Sequence, residues 1–167
     1  DKKRGKMLNS FNMKFLNNKP LKRLLEKKLS PHPVKINHDV YCFLLAEKKL
    51  GIAKNLKNVF YLTLGTGIGS AWMINGEIQP GSHGGAGEAG HMIMDVKNNF
   101  EFESLAANKF IKVKLGFGSI KAEKELKNGS KRVGYVYDEL SKNLGIGIAN
   151  IINIIDPEAI ILGGGIT

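Results

Sequence analysis

The sequence predicts an α/β chain on three observations. Short runs rich in β-branched, aromatic and leucine residues fill its centre. Apolar residues recur at spacings of three and four near its end. A brief all-apolar segment at 159–162, bounded by turn residues, has the character of an interior parallel strand. At 167 residues the chain can bury one core of domain size, and its 43% hydrophobic and 24% charged content excludes a disordered or fibrous protein. No apolar stretch approaches the roughly 18–20 residues that cross a bilayer, and the N-terminus is polar. No membrane segment or signal peptide is therefore read, and a cytoplasmic setting is expected. Cys42 is the single cysteine, so it can form neither an internal disulfide nor a cysteine-paired zinc site, and it is expected in the core.

Residues 1–19, with Asn9, Asn12, Asn17 and Asn18 and no clear periodicity, read as a loop with at most one short extended piece. Pro20 suits a first helical position, and Leu21, Leu24, Leu25 and Leu29 follow at helical spacing until Ser30, Pro31 and Pro33 end the run. Val34 and Ile36 alternate with Lys35 as in a short strand. Val40, Phe43 and Leu44 begin a second helix that stops at Gly51, which places Asn37, His38 and Asp39 at a strand-to-helix junction. The centre reads as a β-meander: a strand at 59–64, the segment Gly65-Thr66-Gly67-Ile68-Gly69, and a strand at 70–74. An Asn75-Gly76 turn leads into 77–79, and a further candidate strand at 91–94 follows a loop at 80–90. From 102 to 156 the pattern is helical, broken near 116–118 and at Asn128-Gly129. Its last helix carries Val133, Val136, Leu140, Leu144, Ile148, Ile151 and Ile155 on one face and ends at Asp156-Pro157.

The formal net charge of +10 raises the question of a nucleic-acid footprint. Most lysines are scattered along the whole chain. The densest group, Lys2, Lys3, Arg4, Lys6, Lys22, Arg23, Lys27 and Lys28, falls partly on the outer face of a helix, and a solvated face is the commoner meaning of such a pattern.

Four constellations could carry chemistry. Alternate glycines at Gly65, Gly67 and Gly69 leave backbone N–H groups unshielded and permit positive φ, and Thr66 adds a hydroxyl. The loop fits either a phosphate cradle or a plain hairpin turn. It lacks the Gly-Lys-Ser/Thr ending of a P-loop, and a strand rather than a helix follows it, against a Rossmann fingerprint. Gly163, Gly164 and Gly165, directly after a buried strand, could let a flat ring or phosphate lie on bare backbone or could simply form a flexible turn. Glu88 and His91, three apart in a glycine-rich stretch at 84–91, could converge on vicinal hydroxyls or belong to a surface loop. Asp39 at a helix start is either a cap or a general base in phosphoryl transfer.

The order and spacing of these motifs resemble the ROK family of bacterial sugar kinases and sugar-responsive repressors over nearly the whole chain. Residues 33–47 look like the family segment with the catalytic aspartate, 62–71 like its second phosphate motif, 84–91 like its Glu-x-Gly-His sugar loop, and 160–166 like its adenosine motif. The resemblance implies a ribonuclease H-like, actin-type ATPase fold. Residues 1–38 would be a remnant of the small N-terminal lobe and hinge, and 39–167 the larger lobe, truncated at its C-terminal end. It implies an ATP-dependent hexose or amino-sugar kinase using ATP and Mg²⁺. Asp39 would be the base, and His38, Asp39, Glu88, His91 and Glu103 would lie at the sugar, Glu101 being near enough to be the true counterpart of Glu103. Gly65, Thr66, Gly67 and Gly69 would approach the phosphates, and Gly163, Gly164 and Gly165 the adenosine. A homodimer is also implied.

The chain departs from the family pattern in three ways. The first phosphate motif and the elements after the adenosine motif are absent, so this polypeptide is not expected to turn over ATP by itself. No cysteine occurs at 92–103, where many members hold a structural zinc, so no zinc is expected. His38 stands where the kinases usually have asparagine, which is reminiscent of repressor members. The alternative reading is accordingly the sugar-sensing domain of a transcriptional repressor, with nucleic acid a partner only if a helix-turn-helix segment lies upstream.

Overall fold

In the computed structural model, residues 4–8, 10 and 13–166 are described. Lys2, Lys3, Asn9 and Asn12 of the sequence reading lie outside them. Two compact units divide the chain, 1–42 and 43–167.

In the first unit a 3₁₀ turn at Lys14–Leu16 occupies part of the expected loop. The segment is held by Met7 N–H donating to Lys19 O at 3.1 Å and Asn18 N–H donating to Met7 O at 2.8 Å. Helix α1 spans Leu21–Leu29, with Pro20 one step earlier than expected, as its N-cap. None of its leucines is fully buried, and Leu24 and Leu29 are exposed. Val34 and Ile36 lie in no ladder. Alternation marks a face, but a strand also needs a neighbour's N–H and C=O groups. Helix α2, Asp39–Leu50, begins at the expected junction. It corrects one expectation, since Cys42 is exposed. Val40 and Leu44, four residues apart, take the buried face, and Cys42 between them is turned about 200° away at 3.6 residues per turn.

The second unit is built on a four-stranded sheet of order β3-β2-β1-β6. Strand β1, Val59–Leu64, pairs antiparallel with β2, Ile68–Ile74, and parallel with β6, Ala159–Gly163. The short β3, Glu77–Ile78, follows β2 across the Asn75-Gly76 turn, both of whose residues have positive φ as that turn type requires. A separate two-stranded sheet pairs β4, Ile93–Asp95, with β5, Phe100–Glu101. The expected strand at 91–94 is thus displaced: His91 closes a 3₁₀ turn at Ala89–His91, and the pairing starts at Ile93. The helical stretch breaks near 116–118 and at Asn128-Gly129 as expected, and also at Ala107, into α3, Phe102–Ala106, α4, Asn108–Leu115, α5, Ser119–Lys127, and α6, Lys131–Ile155. Asp156, at φ +46°, stops α6 as expected.

One face of the sheet, through Phe60, Leu62, Leu64 and Ile68, packs on Phe102, Ala106 and Ile151 from α3 and α6. A second cluster joins Phe110, Ile111 and Leu115 of α4 to Ala122 of α5 and to Val133, Val136 and Leu140 of α6. Gly147 is buried where α6 crosses Phe102, and a Cβ there would overlap the outer edge of the Phe102 ring. At the opposite end of the sheet, Glu158 accepts the backbone N–H of Lys57 at 2.6 Å and that of Asn58, and so aligns the starts of β1 and β6.

Candidate functional site

Because β1 and β6 are parallel neighbours, with Thr63 opposite Gly163, both glycine clusters emerge at the same edge of the sheet. Gly65 follows β1, Gly164 follows β6, and Ile166 N–H donates to Leu64 O at 3.2 Å across them. This is the edge at which α/β sheets gather ligands. The hairpin loop is shorter than the sequence suggested, since only Gly65, Thr66 and Gly67 separate the strands, and Gly69 lies within β2 opposite Thr63. Positive φ is not what requires glycine in this loop, because none of Gly65, Gly67 or Gly69 adopts it. A Cβ on Gly67 would meet the Glu103 carboxylate, the movable end of a flexible side chain, whereas one on Gly65 would meet nothing within 4 Å. The loop is braced by Gly65 N–H donating to Gly67 O at 3.0 Å and by Asn108 N–H at the start of α4 donating to Gly65 O at 3.0 Å.

The second glycine cluster is partly explained by packing. A Cβ on Gly163 would strike the Tyr61 hydroxyl. Gly164, at φ +106°, lies against the backbone of Leu64, and only Gly165 faces open space.

The Glu-x-Gly-His turn is pinned to the start of β2. The Ser70 hydroxyl, buried, donates to Gly87 O and accepts the Ala89 N–H at 2.9 Å. Gly90 packs so closely on Ile68 O that a Cβ would displace it. Glu88 is the N-cap of the 3₁₀ turn and His91 its last residue, and His91 N–H donates to Glu88 O at 3.1 Å. Glu88 and His91, three residues apart, are both exposed. A carboxylate accepts hydrogen bonds from hydroxyls, and a neutral imidazole either accepts or donates according to its tautomer.

The two glutamates that the sequence left in competition take different places. Glu103, in the first turn of α3, points at the glycine loop and accepts the Ile68 N–H at 3.4 Å. Glu101, on β5, faces His91, with Oε2 3.3 Å from the imidazole Nδ1. His38 and Asp39 belong to the first unit. Asp39 Oδ1 accepts the Val40 N–H at 2.9 Å and lies 3.4 Å from His38 Nδ1, while the His38 ring tilts against Tyr41 with centroids 5.3 Å apart. Sequence reasoning missed Ser70 and Tyr61. A small polar residue at an inward position of an apolar strand was the available signal for Ser70; nothing marked Tyr61 in advance.

A cavity of about 200 Å³ lies beside the turn, bounded by Phe60, Ala89, Met92, Ile151, Ile154 and Ile155, with Glu88 at its wall. Its mostly apolar lining offers almost nothing to a polyol. Among the described residues no three His, Cys, Asp or Glu side chains converge on a possible metal position, and no helix is long and apolar enough to cross a membrane.

A sheet that presents two glycine turns at one edge and a carboxylate–imidazole turn beside them, backed by α3 and α6, belongs to the ribonuclease H-like, actin-type ATPase class. The chain is a member of the ROK family, whose model matches residues 1–167. It is 33% identical over 149 residues to a beta-glucoside kinase of Listeria monocytogenes, covering 81% of this chain and 51% of that one. A xylose repressor of Bacillus spizizenii is 31% identical over 169 residues, covering 87% of this chain and 41% of the repressor. Among solved structures, a ROK family protein from Streptococcus pneumoniae in complex with sucrose aligns with TM-score 0.83 and 27% identity, over 99% of this chain and 59% of that one. The chain spans about half the length of the curated relatives it matches.

Proposed function

We propose that the whole protein is an ATP-dependent kinase of a hexose or amino sugar, and that this chain carries its sugar turn and part of its nucleotide site. The observation that carries the reading is the way one short stretch of β2 holds both halves. Ile68 N–H meets Glu103 behind the glycine loop, and Ser70 fixes the turn that presents Glu88 and His91. In this reading Glu88, His91 and Glu103 orient the sugar, and His38 is a further sugar-binding residue. The Asp39 carboxylate accepts the proton of the attacking hydroxyl as its oxygen bonds to the γ-phosphorus and the bond to the ADP oxygen breaks. Backbone N–H groups at Gly65, Thr66, Gly67 and Gly69 approach the phosphates, and Gly163, Gly164 and Gly165 the adenosine. Mg²⁺, held mainly by the phosphates, would supply positive charge to the transferring group; among the described residues no three His, Cys, Asp or Glu side chains converge to cage it.

The same reading includes a homodimer, which sedimentation of the whole protein tests, and no resident zinc, which elemental analysis of purified protein tests. Titration calorimetry with a panel of sugars and a non-hydrolysable ATP analogue tests the site itself. Heat with at least one hexose or amino sugar, lost in Glu88→Gln, is expected; no heat with any sugar or with the nucleotide would sink the proposal.

A second reading rests on the similarity to a xylose repressor and on His38 next to Asp39. In it the same turn senses sugar without phosphoryl transfer. Sugar-reversible binding of the whole protein to DNA, with no turnover of ATP, would favour it.

A further inference from the structure

We propose that Glu101 is a positioning residue for His91: it holds the ring proton on Nδ1 and so leaves the Nε2 lone pair to accept a hydrogen bond from a ligand hydroxyl. The inference rests on the reading of residues 88–91 as a sugar turn. Glu101 Oε2 lies 3.3 Å from His91 Nδ1, the two residues reaching each other from β5 and from the turn before β4. The place of Glu101 is fixed by its neighbours. It is the ladder partner of Ile93, and the next residue, Phe102, donates its N–H to Met92 O at 2.8 Å while its ring is fully buried.

An ionised carboxylate only accepts hydrogen bonds, so the nitrogen facing it must carry the proton. Neutral imidazole has one N–H, which makes Nε2 the acceptor. Glu88, three residues earlier and likewise exposed, is also acceptor-only. The pair therefore selects a ligand that donates from two neighbouring hydroxyls. A deoxyfluoro or methyl-ether analogue, which accepts but cannot donate, is rejected because the acceptors facing it are left unpaired. Without Glu101 the isolated imidazole reverts to its usual preference for a proton on Nε2, which turns an acceptor into a donor pointing at the ligand.

Long-range ¹H–¹⁵N correlation spectra of the histidine rings test this directly. The chain has four histidines, and the His91 signals are assigned by their loss in His91→Gln. The expected result is a protonated Nδ1 and a bare Nε2 in the neutral ring of the parent, an exchange of these roles in Glu101→Ala, and retention in Glu101→Gln, whose amide oxygen still accepts. Sugar affinity should fall about tenfold or more in Glu101→Ala, in keeping with the loss of one matched hydrogen bond, and recover substantially in Glu101→Gln. An unchanged His91 tautomer in Glu101→Ala would overturn the proposal, as would a changed tautomer with unchanged sugar affinity. If the tautomer follows Glu101 but the parent binds no sugar, the positioning of His91 stands and the reading of the turn as a sugar site fails.

Discussion

Replacing Gly147 by alanine tests the packing that carries the site. A methyl group there would overlap the Phe102 ring, which is fully buried between α3 and the sheet, and the obstacle is a rigid ring rather than the end of a flexible chain. Two effects compete. Alanine favours a helix interior by about 1 kcal/mol over glycine. Overpacking a well-filled core costs about 1–3 kcal/mol. Because the overlap involves several ring atoms, α6 or α3 must move, and a net destabilisation of about 1–2 kcal/mol is expected, read as a lower urea midpoint. Phe102→Leu removes the obstacle at its own cost of about 1 kcal/mol, so Gly147→Ala should be neutral or favourable in that background. Phe102 lies between Glu101 and Glu103, so the single variant should also weaken sugar binding, whereas the double variant should not share that extra loss. A Gly147→Ala protein as stable as the parent, or more stable, would show that helix propensity wins and that Phe102 does not occupy the place of the missing side chain.

Other expectations follow from the same contacts. Ser70→Ala leaves the Ala89 N–H without its acceptor, and should cost about 1–3 kcal/mol in denaturant unfolding and weaken sugar binding more than nucleotide binding. Gly163→Ala should be destabilised by collision with the Tyr61 hydroxyl and recover in part when Tyr61→Phe removes that oxygen, which a double-mutant cycle of urea midpoints detects. The Glu158 carboxyl is held below its ordinary value of 4.5 by the backbone N–H groups of Asn58 and Lys57. A depressed folded value stabilises the protein above the ordinary one and is lost as pH falls through the folded one. The gap in unfolding midpoint between the parent and Glu158→Gln should therefore be widest near neutral pH and narrow below 4.5.

How far the sequence disclosed the fold depended on how local each cause was. The face of α6 was legible because one-sided burial forces a spacing of three and four, and Val133, Val136, Leu140 and Ile151 are all buried as that spacing demands. The paired β1 and β2 were legible from their β-branched and aromatic runs. The strand expected at Val34 and Ile36 was not found, because pairing depends on a partner distant in sequence. Cys42 was misplaced because residue type alone does not say which way a helix is turned.

At the site, the order of motifs was readable and the reasons for individual residues were not. Gly67 faces the Glu103 carboxylate from α3, a contact across 36 positions that no local pattern encodes. Glu101 and Glu103, two apart, are equivalent in sequence and point to different partners only because β5 gives way to α3 between them.

Phosphoryl transfer itself is the most direct test. The whole protein, given ATP, Mg²⁺ and a panel of hexoses and amino sugars, should release ADP and form a sugar phosphate with at least one of them. Asp39→Asn should lower turnover by about 10²–10⁴ while leaving calorimetric sugar binding in place, as removal of a general base does. No turnover with any sugar, or full turnover in Asp39→Asn, would contradict the account.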